Sequence, residues 1–308
     1  MSAVPNMPLA PQDLHRRTAI VTGAGKGLGR AYALHLASRG AAVLVNNRRH
    51  PGESDAQTSA MLTVAAIRTA GGIAEANWSD VCDAASGDTM VAQALGYFGR
   101  LDIVVANAGI DKARSFHKQS MADFRAVFDV GFFGNLYLAH AAWPHLVQQA
   151  YGRVILTASS AGLYANHGMA AYASSKAAVI GLMRTLAIEG RKYGVLANVI
   201  SPYGYSQMTA PHMSDEMQRD FDPALVAPLV GWLASEACDV SGEVLVSGAG
   251  LLRRARIGES DAVLLEPGRV SDAVHALAQQ PHHSYASAVE SFAQFQREHA
   301  TLVKRCEA

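Results

Sequence analysis

The sequence predicts an α/β chain whose central parallel sheet is wound with helices on both faces. Three observations carry that expectation. Short, solidly apolar segments recur along the chain, segments with helical spacing separate them, and a glycine-rich turn joins the first apolar segment to the first helix. Strands covered on both faces read as unbroken apolar runs, whereas half-exposed strands alternate. Helices alternating with such runs are the signature of parallel crossover units.

The elements follow in order. Residues 17–21 form the first strand, and a helical pattern runs to about residue 39, where Gly40 closes it as a C-terminal cap. The second strand, 41–45, leads into Asn46-Asn47-Arg48-Arg49. A helix over 58–69 ends at Gly71-Gly72, and a strand over 73–76 precedes Asp80-Val81. Next come a helix over 84–98 and an apolar strand over 101–105 that runs into Asn107-Ala108-Gly109. One long helix is expected over 121–149, bent near Pro144. A strand over 153–156 reaches Ser159 and Ser160, a loop follows, and a helix covers 171–189. The core closes with a strand over 195–200, a loop over 201–222, a helix over 224–235 and a strand over 243–246.

Past Gly250 the register changes. LLRRARIGES is basic and irregular, and helical patterns resume over 271–279 and 284–304. The expected division is a mobile N-terminus (1–14), a nucleotide-binding type domain (15–250) and a helical extension (251–308) packed on the core or on a partner subunit. His282-His283 lies in this extension without other ligands at useful spacing, so it reads as a solvated turn and no metal site is expected.

Bulk composition removes several function classes. The 308 residues carry 26 basic and 26 acidic side chains, so no global field points to nucleic acid or an anionic membrane. Three cysteines make no disulfide framework and suit a reducing compartment. The N-terminus lacks the apolar core of a signal peptide, and no apolar run is long enough to span a bilayer. The expectation is a soluble, cytoplasmic protein without membrane or nucleic-acid partners.

The turn Thr22-Gly23-Ala24-Gly25-Lys26-Gly27-Leu28-Gly29 reads as a phosphate cradle, spaced G-x-x-x-G-x-G rather than the generic G-x-G-x-x-G, with a plain glycine-rich turn as the alternative. Gly23 permits the turn, Gly27 admits a pyrophosphate close to the backbone, and Gly29 lets the helix pack on the sheet. A ribose 2′-hydroxyl is usually held by a carboxylate at the end of the second strand, whereas a 2′-phosphate calls for arginine. Here Asn47 and Arg48 stand at that end and Lys26 is within reach, so NADP(H) is preferred, with NAD(H) possible.

Tyr172 and Lys176 lie four apart in a helical stretch, hence on one face, with Ser159 upstream. A phenol gives a proton to a developing alkoxide, and a neighbouring ammonium is expected to lower its pKa from about 10. Carbonyl reduction needs that set.

These residues resemble the short-chain dehydrogenase/reductases. Thr22-Gly23-x-x-x-Gly27-x-Gly29, Asn107-Ala108-Gly109, Ser159, Tyr172 and Lys176 fall in that family's order and spacing over about residues 15–250. The resemblance implies that Tyr172 is the acid/base, Ser159 orients the carbonyl, and Lys176 holds the nicotinamide ribose. It also implies that Asn107, Ala108 and Gly109 border the cofactor, Asp80 and Val81 border the adenine, and Pro202 and Ser206 lie by the carboxamide. Within the family the likeness is greatest to the (3R)-hydroxyacyl-CoA dehydrogenase domains of peroxisomal multifunctional enzymes and their bacterial relatives. GLGRAYAL (27–34), LAIEGRK (186–192), VAPLVGWL (226–233) and SGAG (247–250) carry it.

A 3-oxoacyl-CoA or 3-hydroxyacyl-CoA substrate is therefore expected. The alternatives are a reductase of free small or steroidal ketones and, more remotely, a non-catalytic dinucleotide-binding protein. Tyr164, His167, Met169, Tyr203, Tyr205 and the segment His212-Met213 are the substrate-pocket candidates, each equally a packing residue. Arg253, Arg254 and Arg256 either meet CoA phosphates or serve solubility. The family's helical asparagine is replaced by Gly131, with Asn135 a turn further on. A homodimer or homotetramer is expected from the resemblance.

Overall fold

The computed structural model describes residues 13–210 and 213–307, with side chains through residue 302. Residues 1–12 of the start expected to be mobile (1–14) and the pocket candidate His212 lie outside the described residues, whereas Asp13 takes a hydrogen bond from Arg39 at 2.9 Å and Leu14 is fully buried. Two compact units divide the chain, Met1–Arg254 and Ala255–Ala308.

The first unit is built on β1 (Thr18–Val21), β2 (Ala42–Asn46), β3 (Ile73–Asn77), β4 (Ile103–Ala106), β5 (Gly152–Thr157), β6 (Val195–Pro202), β7 (Val244–Gly248) and β8 (Leu251–Ala255). Their order in the sheet is β3-β2-β1-β4-β5-β6-β7-β8. Each registered pair among the first seven is parallel. The strands are short and apolar because both faces are covered: β1, β4 and β5 are buried along their whole length. The order reverses between β1 and β4, which opens a crevice at the carboxyl ends of those two strands.

The crossover helices are α1 (Gly27–Ser38), α2 (Ser59–Thr69), α3 (Ser86–Phe98), α4 (Met121–Phe128), α5 (Gly134–Gln148), α6 (Ser160–Tyr164), α7 (Ala170–Gly190), α8 (Asp215–Asp220) and α9 (Ala227–Ala234). α1 buries Tyr32, Ala33, Leu36 and Ala37, a spacing of three and four that turns one stripe to the sheet. With Val43, Val64, Ile67, Val230 and Leu233 that stripe fills the core on one face. At the sheet end away from the crevice the fully buried Asp102 gathers a charged cluster. It accepts the Thr18 N–H at 2.9 Å and takes ion pairs from Arg17 at 2.8 Å and Arg100 at 2.6 Å. A buried carboxylate is tolerated when it is satisfied in this way.

The helix expected over 121–149 runs without a gap from Met121 to Gln148, as α4, a π-helical segment at Asp129–Phe133 and α5, with Pro144 inside α5. Missing side chains at Gly131 in the π segment and at Gly134 beside it let the helix close on Ser175 and Val81: a Cβ on Gly131 would stand 3.0 Å from the Ser175 hydroxyl, and one on Gly134 would stand 2.9 Å from Val81. The freed Gly131 carbonyl is taken by the Asn135 side-chain amide at 2.7 Å. The loop expected after Ser160 begins instead as the short helix α6. The irregular segment after Gly250 begins as the strand β8, reached through Ala249 and Gly250 at φ 50° and 73°. Two consecutive positive φ values make the tight reversal typical of a two-residue hairpin, so β8 returns antiparallel beside β7.

The second unit holds β9 (Glu259–Ser260), β10 (His282–His283), α10 (Val270–Leu277) and α11 (Ala288–Glu307). The expected turn at His282-His283 is paired antiparallel with Glu259-Ser260, and His283 contacts Asp261 at 2.9 Å. Among the described residues no helix is long and apolar enough to cross a membrane.

Candidate active site

The crevice begins where β1 ends. Thr22, 2 % exposed, ties it to the loop after β4. Its hydroxyl oxygen accepts the Asn107 and Ala108 N–H groups at 3.0 and 3.1 Å, and its carbonyl accepts the Asn107 side-chain amide at 3.0 Å. Gly23 and Gly27 adopt φ 64° and 52°, the left-handed region that glycine enters without strain. Gly29 has no room for a side chain, since a Cβ would meet the Gly23 carbonyl and stand 2.5 Å from the Asn107 amide. The turn is thus locked to the β4 loop, and Lys26 stands at the residue before α1 without a side-chain hydrogen bond to the helix end.

Around this turn lies a cleft of about 290 Å³. Gly23, Lys26, Gly27, Leu28 and Gly29 form one wall, and Asn47, Arg48, Asp80 and Val81 form the end near β2 and β3. Asn107, Ala108 and Gly109 form the other wall, with Ser206 across the mouth. Sequence reasoning missed Asn46, His50, Ser79, Ile110, Val130, Gln207 and Met208, which also line it. Each lies within three residues of a residue that was expected at the site or of the departure at Gly131, so extending each motif along the chain was the available signal. Pro202, at the end of β6, does not line the cleft.

No carboxylate stands at the end of β2. The Asn47 amide donates to the Ser59 hydroxyl at 2.9 Å, and Arg48 faces Asp80 at 3.8 Å, with both side chains largely exposed. Lys26, Arg48 and His50 line the same cleft. The glycine cradle with cationic groups at its β2 end fits a dinucleotide.

Ser159, Tyr172 and Lys176 do not line the cleft themselves, but Lys176 abuts its Gly109 wall: a Cβ on Gly109 would lie 3.4 Å from the Lys176 ammonium nitrogen. Lys176 is buried, donates to the Thr157 carbonyl at 2.8 Å, and has its nitrogen 5.7 Å from the centre of the Tyr172 ring. Burial lowers its pKa from 10.5 to about 8. Ser159 caps α6, its oxygen accepting the Ala161 N–H at 3.2 Å, and its hydroxyl lies near enough to the Tyr172 phenol to lower the phenol's pKa. Gly162 brings α6 onto α7: a Cβ there would stand 2.8 Å from the Lys176 backbone. The structure therefore brings Ser159, Tyr172 and Lys176 together. The phenol is pushed up from its ordinary value, first by burial and then by the Asp111 charge, against a lowering by Ser159. The expected lowering by Lys176 is not found: burying the phenol disfavours its anion, and the one opposing effect comes from Ser159.

The substrate candidates are more scattered. Tyr164 at the end of α6 is 74 % exposed, and Tyr203 is 39 % exposed with its N–H on the Ser247 carbonyl. His167 is exposed, 3.4 Å from the Ser115 hydroxyl. Tyr205 bonds the Phe221 carbonyl through its backbone N–H at 2.7 Å.

The profile of the short chain dehydrogenase family matches residues 17–218. This chain belongs to that family. Like the family at large, this short-chain dehydrogenase is an oxidoreductase built for NAD(P). It is 41 % identical over 249 residues to the peroxisomal multifunctional enzyme type 2 of Mus musculus, covering 80 % of this chain and 34 % of that one. It is 38 % identical over 249 residues to the hydroxyacyl-CoA dehydrogenase ChsB1 of Mycobacterium tuberculosis, covering 76 % of this chain and 78 % of that one. A short chain dehydrogenase from Mycobacterium avium superposes with a TM-score of 0.78 at 33 % identity, over 88 % of this chain and 98 % of that one. The full-length multifunctional enzyme type 2 of Drosophila melanogaster superposes with the same score at 32 % identity, over 94 % and 50 %. The chain spans about a third of the length of the mouse enzyme.

Proposed function

We propose that this short-chain dehydrogenase interconverts a 3-oxoacyl and a 3-hydroxyacyl thioester of coenzyme A, with NADP(H) as its preferred partner. The observation that carries the reaction type is the convergence of Ser159, Tyr172 and Lys176 at the Gly109 end of the cleft. The substrate class follows the similarity to a relative named hydroxyacyl-CoA dehydrogenase. The nicotinamide, when bound, supplies the hydride. Ser159 and Tyr172 hydrogen-bond the ketone oxygen, and as the carbon gains its hydrogen the Tyr172 proton passes to the oxygen, leaving the secondary alcohol. Lys176, fixed by the Thr157 carbonyl, keeps a positive charge beside the transient phenolate. Preference for the 2′-phosphate rests on Lys26, Arg48 and His50 in the cleft and on Asn47 in place of a carboxylate.

The test is oxidation of NADPH by the purified protein with a short 3-oxoacyl-CoA. Turnover should fall by about 10²–10⁴ in Tyr172→Phe, the usual contribution of a positioned acid. Undiminished turnover in that variant would remove Tyr172 from the mechanism, and silence with the thioester but turnover of free ketones would move the substrate class. NADPH should bind more tightly than NADH, with the order reversed in Arg48→Asp; equal affinities in the parent would end the phosphate argument. A homo-oligomer is also proposed, since Met121 on α4, Phe133 on the π-turn and Ile188 on α7 are exposed. Sedimentation giving a monomer at micromolar concentration would exclude it.

A further inference from the structure

The three consecutive basic residues after β2 do not share one task. Arg48 and His50 line the cleft, and Arg49 between them does not. Arg49 is engaged elsewhere: it pairs with Asp55 at 2.5 Å, and its guanidinium carbon lies 4.9 Å from the centre of the Trp78 ring. Arg48 meets the Asp80 carboxylate at 3.8 Å, so part of its charge is already answered within the chain. Lys26 reaches the same cleft from the glycine turn. The His50 imidazole has no hydrogen bond or ion pair among the described residues, since its one polar contact is made by the backbone.

That backbone is braced. His50-Pro51-Gly52-Glu53 is a closed turn in which the Glu53 N–H donates to the His50 carbonyl at 3.2 Å and Gly52 takes φ 84°. Proline at the second position and a glycine at positive φ in the third are what a type II turn requires. The Glu53 carboxylate accepts the His50 N–H at 2.9 Å, a second tie across the same turn. The imidazole is therefore offered to the β2 end of the cleft from a fixed turn. The charged and titratable groups around it are Arg48, Arg49, Glu53 and Asp55 from its own loop, Lys26 from the glycine turn, and Asp80 and Cys82 from the loop after β3. Burial and Asp80 push the Cys82 thiol up to about 12, so it stays neutral. Carboxylates, ammonium and guanidinium groups ordinarily titrate outside about pH 6.5–8.5, whereas imidazole is the side chain whose charge changes in that region.

We infer that His50 is a specificity-determining residue for the cofactor: as an imidazolium it donates to the 2′-phosphate, so that the preference for NADP(H) over NAD(H) strengthens as pH falls. A hydrogen bond from a cation to a phosphate oxygen is stronger than one between neutral groups, and NAD(H) carries only a hydroxyl at that place. The second proton of a phosphate monoester leaves near pH 6, so above about pH 6.5 the phosphate is largely the dianion and the imidazole is the partner that changes. This inference rests on the NADP(H) reading of the cleft given above.

The test is calorimetric binding of NADP⁺ and NAD⁺ to the purified protein between about pH 6.5 and 8.5, read as the ratio of the Kd for NAD⁺ to the Kd for NADP⁺. Groups at the nicotinamide end, Lys176 with its pKa of about 8 included, act on both dinucleotides alike and cancel in that ratio. The ratio should fall about fivefold from the lower to the upper pH in the parent and change less than about twofold in His50→Gln. In His50→Lys, whose charge persists across the range, it should stay high and flat. A large parent ratio that does not vary with pH overturns the inference and leaves the NADP(H) reading standing. So does a slope that survives in His50→Gln, or a His50→Lys ratio at the upper pH no higher than the parent's. A parent ratio near one at every pH ends the NADP(H) reading, and the inference falls with it.

Discussion

Replacing Thr22 by valine removes one oxygen and keeps the side chain's shape, which makes the tie between β1 and the β4 loop measurable. That oxygen is the acceptor for the Asn107 and Ala108 N–H groups at 3.0 and 3.1 Å. A buried donor that loses its partner costs about 1–3 kcal/mol. Both N–H groups are only partly buried, so the lower figure applies to each, about 2 kcal/mol in all. For a domain of this size 1 kcal/mol moves the melting temperature by about 2–4 °C, giving a predicted fall of about 4–8 °C. Heat unfolding followed by circular dichroism would measure it, with Thr22→Ser as the control that keeps the hydroxyl. Dinucleotide affinity should fall with it, since the Asn107 amide borders Gly23 and Gly29. Melting of Thr22→Val within 1 °C of the parent would refute the reasoning, as would equal damage from the serine and valine variants.

Gly162→Ala should lower turnover at least tenfold while leaving dinucleotide affinity within about twofold, because the added carbon pushes α6, and Ser159 with it, off the Lys176 backbone without touching the glycine turn; kcat alongside a binding titration separates the two. Lys176 has a folded pKa of about 8 against 10.5. Between those values the unfolded chain holds the proton that the folded one has lost, so stability should rise with pH across that window, and the rise should be absent from denaturation curves of Lys176→Met. His35 on α1 is held down to about 4 by burial and by Arg39, and its Nε2 has no partner among the described residues. The unfolded imidazole takes its proton near 6.5, so this group's share of stability is complete above that pH and is lost as pH falls toward 4. Melting of His35→Gln between pH 4 and 7 should show a shallower slope than the parent.

Much of this was legible in the sequence because the physics behind it is local. Apolar runs such as 41–45 and 101–105 announce strands buried on both faces, and Gly23, Gly27 and Gly29 are required by backbone angles and clearances that neighbouring residues set. The spacing of Tyr172 and Lys176 needs nothing beyond helical geometry. The π-turn was not legible, since it depends on Ser175 and Val81 reaching Gly131 and Gly134 from distant segments. The Tyr172 pKa was misjudged because spacing reveals the neighbouring ammonium but not the burial that raises the phenol.

The reversal at Ala249-Gly250 bears on how the sheet comes together. Every parallel pair joins strands separated by a crossover, so its register waits on a long loop closure. β7 and β8 alone are sequence neighbours joined by two residues, and a hairpin of that kind closes in about 1–10 μs. During synthesis β7 is the last of the parallel strands to emerge, and β8 follows it at once. Its outer edge can be covered before its inner edge finds β6. The step that completes the sheet then adds a ready-made ribbon, and a bare apolar strand is never presented to other nascent chains.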